Sequence, residues 1–187
     1  MYTFMSKKPL QHALVWIGVY IVLVNIGDAI AESMGFAFAT AILVLALSLI
    51  LIIYLLRNRE AAAIGLKQVR QTDFRATLYY LPLVLLVAMQ WYGGVNPALT
   101  AVQLGSIILL MVGVGFVEET IFRGLLYRAI EQKSGVNRAV IISGITFGLG
   151  HLVNLLRGFT TQELVGQIVA AVAIGIVLAL LVAVTGN

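Results

Sequence analysis

Stretches of about 20 apolar residues recur from one end of the chain to the other, the length one α-helix needs to cross the hydrocarbon of a bilayer. The chain therefore reads as an all-α, polytopic transmembrane helical bundle. Six segments qualify, at about 11–31, 36–56, 76–92, 99–122, 138–156 and 163–184. The third is short and contains Pro82, so a kink or tilt is expected there.

Composition agrees. Of 187 residues, 61% are hydrophobic and 11% charged, against roughly 45–50% and 25% in a soluble domain. That balance excludes a water-exposed surface. No internal repeat and no low-complexity linker appears, so residues 1–187 read as a single membrane domain. The run after Lys7 and Lys8 is long enough to span and lacks a clear small-x-small cleavage site, so it reads as a retained first helix rather than a signal peptide.

Charge gives the orientation. If all six segments cross, 11 of the 12 Lys and Arg residues fall on one side, and only Arg157 falls on the other. Basic loops stay in the cytoplasm. The N-terminus is then cytoplasmic, and the expected location is the plasma (cell inner) membrane. The excess of +4 fits contact with anionic lipid, and no nucleic-acid surface is expected. The absence of cysteine excludes disulfides, thiolate nucleophiles and Cys-ligated metals.

Ionisable groups at membrane depth are costly and tend to be functional. Three places carry them. Asp28, with Asn25, lies near the end of the first segment. Glu118 and Glu119 close the fourth. His151 and Asn154 sit in the fifth, and Gln167 adds an uncharged polar group to the sixth. Residues four apart share a helix face, so Glu119 can pair with Arg123. Glu118 points about 100° away and is left over as a candidate general base or acid. The bland alternative is a solvated helix end. Phe147, His151 and Asn154 lie along one stripe, and Gly144, Gly148 and Gly150 let another helix approach, so His151 is expected to face the bundle interior. Its bland alternative is a histidine that merely ties two helices together. By rise per residue, His151 lies on the order of 10 Å deeper than Glu118.

Glu118-Glu119-Thr120-Ile121-Phe122-Arg123 fits a Glu-Glu-x-x-x-Arg motif, and Phe147-Gly148-Leu149-Gly150-His151 fits Phe-x-x-x-His. In this order, on consecutive membrane helices, the two resemble the CPBP family, which contains the CAAX prenyl proteases and the bacteriocin-processing and immunity enzymes (the Abi family). The likeness covers about 98–187; the N-terminal half matches only as generic membrane helices.

The resemblance implies an intramembrane endopeptidase with its site facing the cytoplasm. Its substrate would be a peptide or protein with a membrane-proximal cleavage site, for CAAX-like processing, peptide maturation or bacteriocin immunity. By the same resemblance Glu118 activates the attacking water, Glu119 and Arg123 are the accompanying motif positions, and His151 orients the water or binds a metal. Phe147 and Asn154 would support the site. Two chemistries stay open: a Zn2+ ion held by Glu118 and His151, or a metal-free Glu/His mechanism. The family pattern also has a His-x-x-x-Asn (or Asp) motif on a later helix. This chain reaches Val184-Thr185-Gly186-Asn187 where the turn into that helix is expected, so it reads as either a fragment or a short form. Two other functions compete: a catalytically incomplete scaffold or immunity protein that binds without cutting, and a proton-coupled transporter using Asp28, Glu118 and His151.

Overall fold

In the computed structural model the described residues are 7–66, 81, 84–85, 88, 94, 96 and 98–186. Five helices among them are long and apolar enough to cross a membrane. α1 is Pro9–Met34 and α2 is Ala39–Arg57. α3 (Ala101–Glu118) runs on through a π-helical segment, Glu119–Tyr127, into α4 (Arg128–Ser134). α5 (Val136–Leu149) continues as a 3-10 segment, Gly150–Arg157, and α6 is Thr161–Thr185. These five correspond to five of the six predicted segments. The third, about 76–92 with Pro82, falls almost wholly outside the described residues, as do Lys67, Arg70 and Arg75.

Local sequence explains the boundaries. Thr100 with Gln103, and Thr160 with Glu163, form capping boxes that satisfy the orphan N–H groups opening α3 and α6. Gly135, at φ 84°, makes the left-handed turn between α4 and α5 that a side chain would strain. We call the end of the bundle that holds Pro9, Arg57 and Gly135 the basic end, and the end that holds Gly35, Thr100 and Gly158 the far end.

Small residues set the packing. A Cβ on Gly27 would lie 2.6 Å from the Thr40 Cα, so α1 and α2 cross almost backbone to backbone there. Gly113 seats Val44 and Leu45 of α2 against α3. With Gly105 facing Phe38, this makes α2 and α3 run parallel, as the predicted order of crossings requires. Gly144 and Gly175 bring α5 and α6 together in the same way. Without a hydrophobic drive inside lipid, such close approach is what associates helices. The outer surface is the reverse of a soluble protein's: Leu49, Ile53, Val112, Val165 and Val169 are exposed.

The fourth predicted segment stops too early. Ending it near 122 places Arg123, Arg128 and Lys133 in a loop, whereas the helix continues to Ser134. Thr120 to Tyr127 are buried without a break. α1, α5 and α6 pack around this segment, and Ile64 rests on Gly124. The helix survives its buried charges because they are answered: Arg128 donates to Glu131 (2.9 Å) and to the Gly186 carbonyl (2.9 Å) just beyond α6, while Lys133 is exposed.

Candidate functional site

The π-helical segment separates the two glutamates. A π turn takes one more residue than an α turn, and such turns are frequent at functional sites. Glu119 turns toward one cavity, of about 320 Å³, shared with Phe116, Thr120, Arg123, Leu66 and Leu181. Glu118 turns toward another, of about 280 Å³, enclosed by α1, α3, α5 with its 3-10 extension, and α6.

The expected pairing of Glu119 with Arg123 is present: Arg123 Nη1 lies 3.2 Å from Glu119 Oε1. Arg123 is only 3% exposed, so it does not belong to a solvated helix end. Its guanidinium sits 4.4 Å over the Phe147 ring, a cation–π contact strengthened by burial. Phe147 in turn meets Phe122 edge-on at 5.2 Å and His151 edge-on at 5.5 Å. The two sequence motifs thus interlock through the Phe147 ring.

Glu118 and His151 line the same cavity. Glu118 is not left over: Tyr20 of α1 donates its hydroxyl to Glu118 Oε1 at 3.0 Å. His151 Nδ1 lies 3.3 Å from the Phe147 carbonyl. A carbonyl only accepts, so a hydrogen bond here needs the proton on Nδ1, and in the neutral ring that tautomer has Nε2 as its acceptor. Phe147 therefore serves twice, its ring against Arg123 and its carbonyl on His151.

A polar chain crosses the far end of this cavity. Thr40 Oγ1 donates to Asp28 Oδ1 at 2.7 Å, and Asp28 Oδ2 is ion-paired with Arg157 Nη2. Arg157 Nη1 donates to Asn154 Oδ1 (2.8 Å), and Asn154 Nδ2 donates to Gln167 Oε1 (2.7 Å). Asn154 is buried and tied into this chain, away from Glu118. Asn25 caps its own helix carbonyl, Ile21, at 2.7 Å. The other histidine, His12, is buried, stacked on Tyr54 at 5.4 Å, and accepts from Trp16 Nε1 at 2.9 Å.

Among the described residues no three His, Cys, Asp or Glu side chains come together to hold a metal. A catalytic zinc site uses three protein ligands and an open position. Glu118 and His151 supply two, so this donor set does not fit the Zn2+ site the resemblance suggests.

Sequence reasoning missed Tyr20, Thr40 and the part Arg157 plays. A signal was available for Tyr20. Tyr20 lies eight residues, about two turns, before Asp28, and polar groups sharing one face of an apolar helix face other helices rather than lipid.

Fold and cavity define a class: a polytopic helical membrane protein with a carboxylate and an imidazole on one cavity. The family model described as type II CAAX prenyl endopeptidase Rce1-like matches residues 100–187, in agreement with the resemblance that the two motifs carry. The match starts at Thr100, the cap of α3, close to the core expected from about 98 onward. No curated protein and no solved structure matches the chain.

Proposed function

We propose that the protein is an intramembrane endopeptidase whose reaction centre is Glu118 with His151. The observation that carries the reading is that the two motifs meet across Phe147, with Glu118 and His151 on one cavity. A peptide or protein segment near the membrane surface is the substrate class, the site faces the cytoplasm, and the surrounding partner is the bilayer.

The chemistry follows from donors and acceptors. A water molecule has two O–H donors. Glu118 Oε2, the oxygen Tyr20 does not hold, accepts one, and His151 Nε2 accepts the other. Both hydrogens are then tied, and the water's lone pairs are left facing the scissile carbonyl. As the C–O bond forms, Glu118 takes one proton as general base. It then delivers that proton to the departing amide nitrogen as the C–N bond breaks, giving a new amine and a new carboxylic acid, whose remaining proton from the water can pass to His151 Nε2. Glu119 and Arg123 take no proton; they lock the π-helical segment against Phe147 and so hold the angle of Glu118.

Glu118→Gln keeps the size and the Tyr20 contact but cannot accept a proton. Purified in detergent and offered fluorogenic membrane peptides, the variant is expected to lose at least about a hundredfold in rate, the usual worth of a general base, with an unchanged melting temperature. Full activity in Glu118→Gln would overturn the mechanism.

A further inference from the structure

Lys8 and Lys133 lie at the basic end and line neither of the cavities beside the glutamates. They belong to different helices: Lys8 is the cap position of α1, and Lys133 is in the last turn of α4. Both nevertheless line one open cleft of about 380 Å³ between those helices. Leu10 and Ala129 share its walls, and among the described residues no acidic side chain does. The acid two positions before Lys133, Glu131, is committed to Arg128 and to the Tyr127 hydroxyl. Like charges across one cleft repel, so the arrangement is costly unless an anion lies between them. A lysine serves a phosphate as a point charge. An apolar path leads away from the charges. Leu14 follows Leu10 by four residues, so the two share a face of α1, and they are 38% and 51% exposed.

We infer that this cleft binds an anionic phospholipid, its phosphate between Lys8 and Lys133 and an acyl chain along Leu10 and Leu14. Charge at the start of a membrane helix, with an apolar path running on along that helix, matches an amphiphile and not a soluble anion. Position agrees. The positive-inside count puts the basic end in the cytoplasm, and basic pockets between helices on that side are where anionic headgroups gather. The lipid bridges α1 to α4, the end of the rod that begins as α3. Those are the two elements whose side chains meet as Tyr20 and Glu118. Binding of this kind is independent of peptide cleavage.

Native mass spectrometry of the full chain in detergent tests the site. Phosphatidylglycerol and phosphatidylcholine with the same acyl chains are titrated in turn. Phosphatidylglycerol is expected to bind about thirtyfold more tightly at the first site, the worth of two lysines at an anionic surface. Lys8→Gln/Lys133→Gln should bring the two lipids close to parity. Arg57→Gln/Arg138→Gln removes as much charge from exposed positions at the same end and should keep the preference. Loss of the preference in that control would show bulk attraction in place of a site and overturn the proposal. Equal binding of the two lipids by the parent overturns it, as does a preference that survives the lysine double variant. Glycerol 3-phosphate is the soluble probe and is expected not to compete. If it displaces phosphatidylglycerol at equal concentration, the occupant is a free phosphate and the lipid assignment falls. Should the lysine double variant fail to fold, the single variants decide, each expected to lose about fivefold of the preference.

Discussion

Tyr20 and Glu118 stand 98 positions apart in the chain, yet a hydroxyl and a carboxylate oxygen meet at 3.0 Å. Nothing local predicts such a contact. The Glu119–Arg123 pair was legible because it obeys the i, i+4 rule within one helix, and the 3.2 Å approach bears that out. The role of Phe147 was half legible: its spacing from His151 was visible, but not that its ring would take the Arg123 guanidinium. Tyr20→Phe tests the hidden contact. It removes the donor, keeps the ring and frees Glu118 Oε1 from its tether. A hydrogen bond to a charged group is worth about 1.5–3 kcal/mol. We expect kcat to fall about tenfold or more, with KM and the melting temperature nearly unchanged, measured from initial rates over a range of peptide concentration. A rate equal to the parent's would show that the tether does not serve the chemistry.

Helix existence was readable from the sequence, but where α3 ends was not. Hydropathy falls when Arg123, Arg128 and Lys133 enter, so a reading by composition stops the span near 122. The helix runs on because tertiary partners answer those charges: Phe147 and Glu119 for Arg123, Glu131 and the Gly186 carbonyl for Arg128. The glycines were more informative. Gly144 and Gly148 were expected to admit a neighbouring helix, and α6 is that neighbour. A Cβ on Gly144 would fall 2.9 Å from the Ile176 backbone nitrogen, an atom that cannot rotate away. Gly144→Ala gains about 1 kcal/mol of helix propensity, but forcing extra volume into a packed contact costs about 1–3 kcal/mol. The clash is with backbone, so the cost wins and thermal unfolding in detergent should occur at lower temperature. Gly115→Ala is the control, since a Cβ there meets nothing within 4 Å. It should be neutral or slightly stabilising. A Gly144→Ala protein as stable as the parent would mean that α5 and α6 are not held by this approach.

At the scale of the whole molecule, orientation links the site to its substrate. The sequence argument rests on basic residues gathering at one end. Moving Arg123 out of the loop and into the buried helix removes one charge from that count without changing its sign. Among the described residues Arg157 is the one Lys or Arg at the far end, where it lines the cavity. If the N-terminus is cytoplasmic, the far end with Gly158 and Phe159 faces away from the cytoplasm. The protein contains no cysteine, so a single introduced thiol is the sole reporter of its position. Lys133 and Phe159 are both exposed and sit at opposite ends of the Val136–Arg157 rod. With a membrane-impermeant maleimide on intact cells, Phe159→Cys is expected to label at once. Lys133→Cys should label only after the membrane is opened. The opposite pattern would invert the protein, and a substrate entering from the cytoplasm would then meet Arg157 before Glu118. The expected pattern makes it reach Glu118 first, on the cytoplasmic side of the cavity, with Arg157 beyond it.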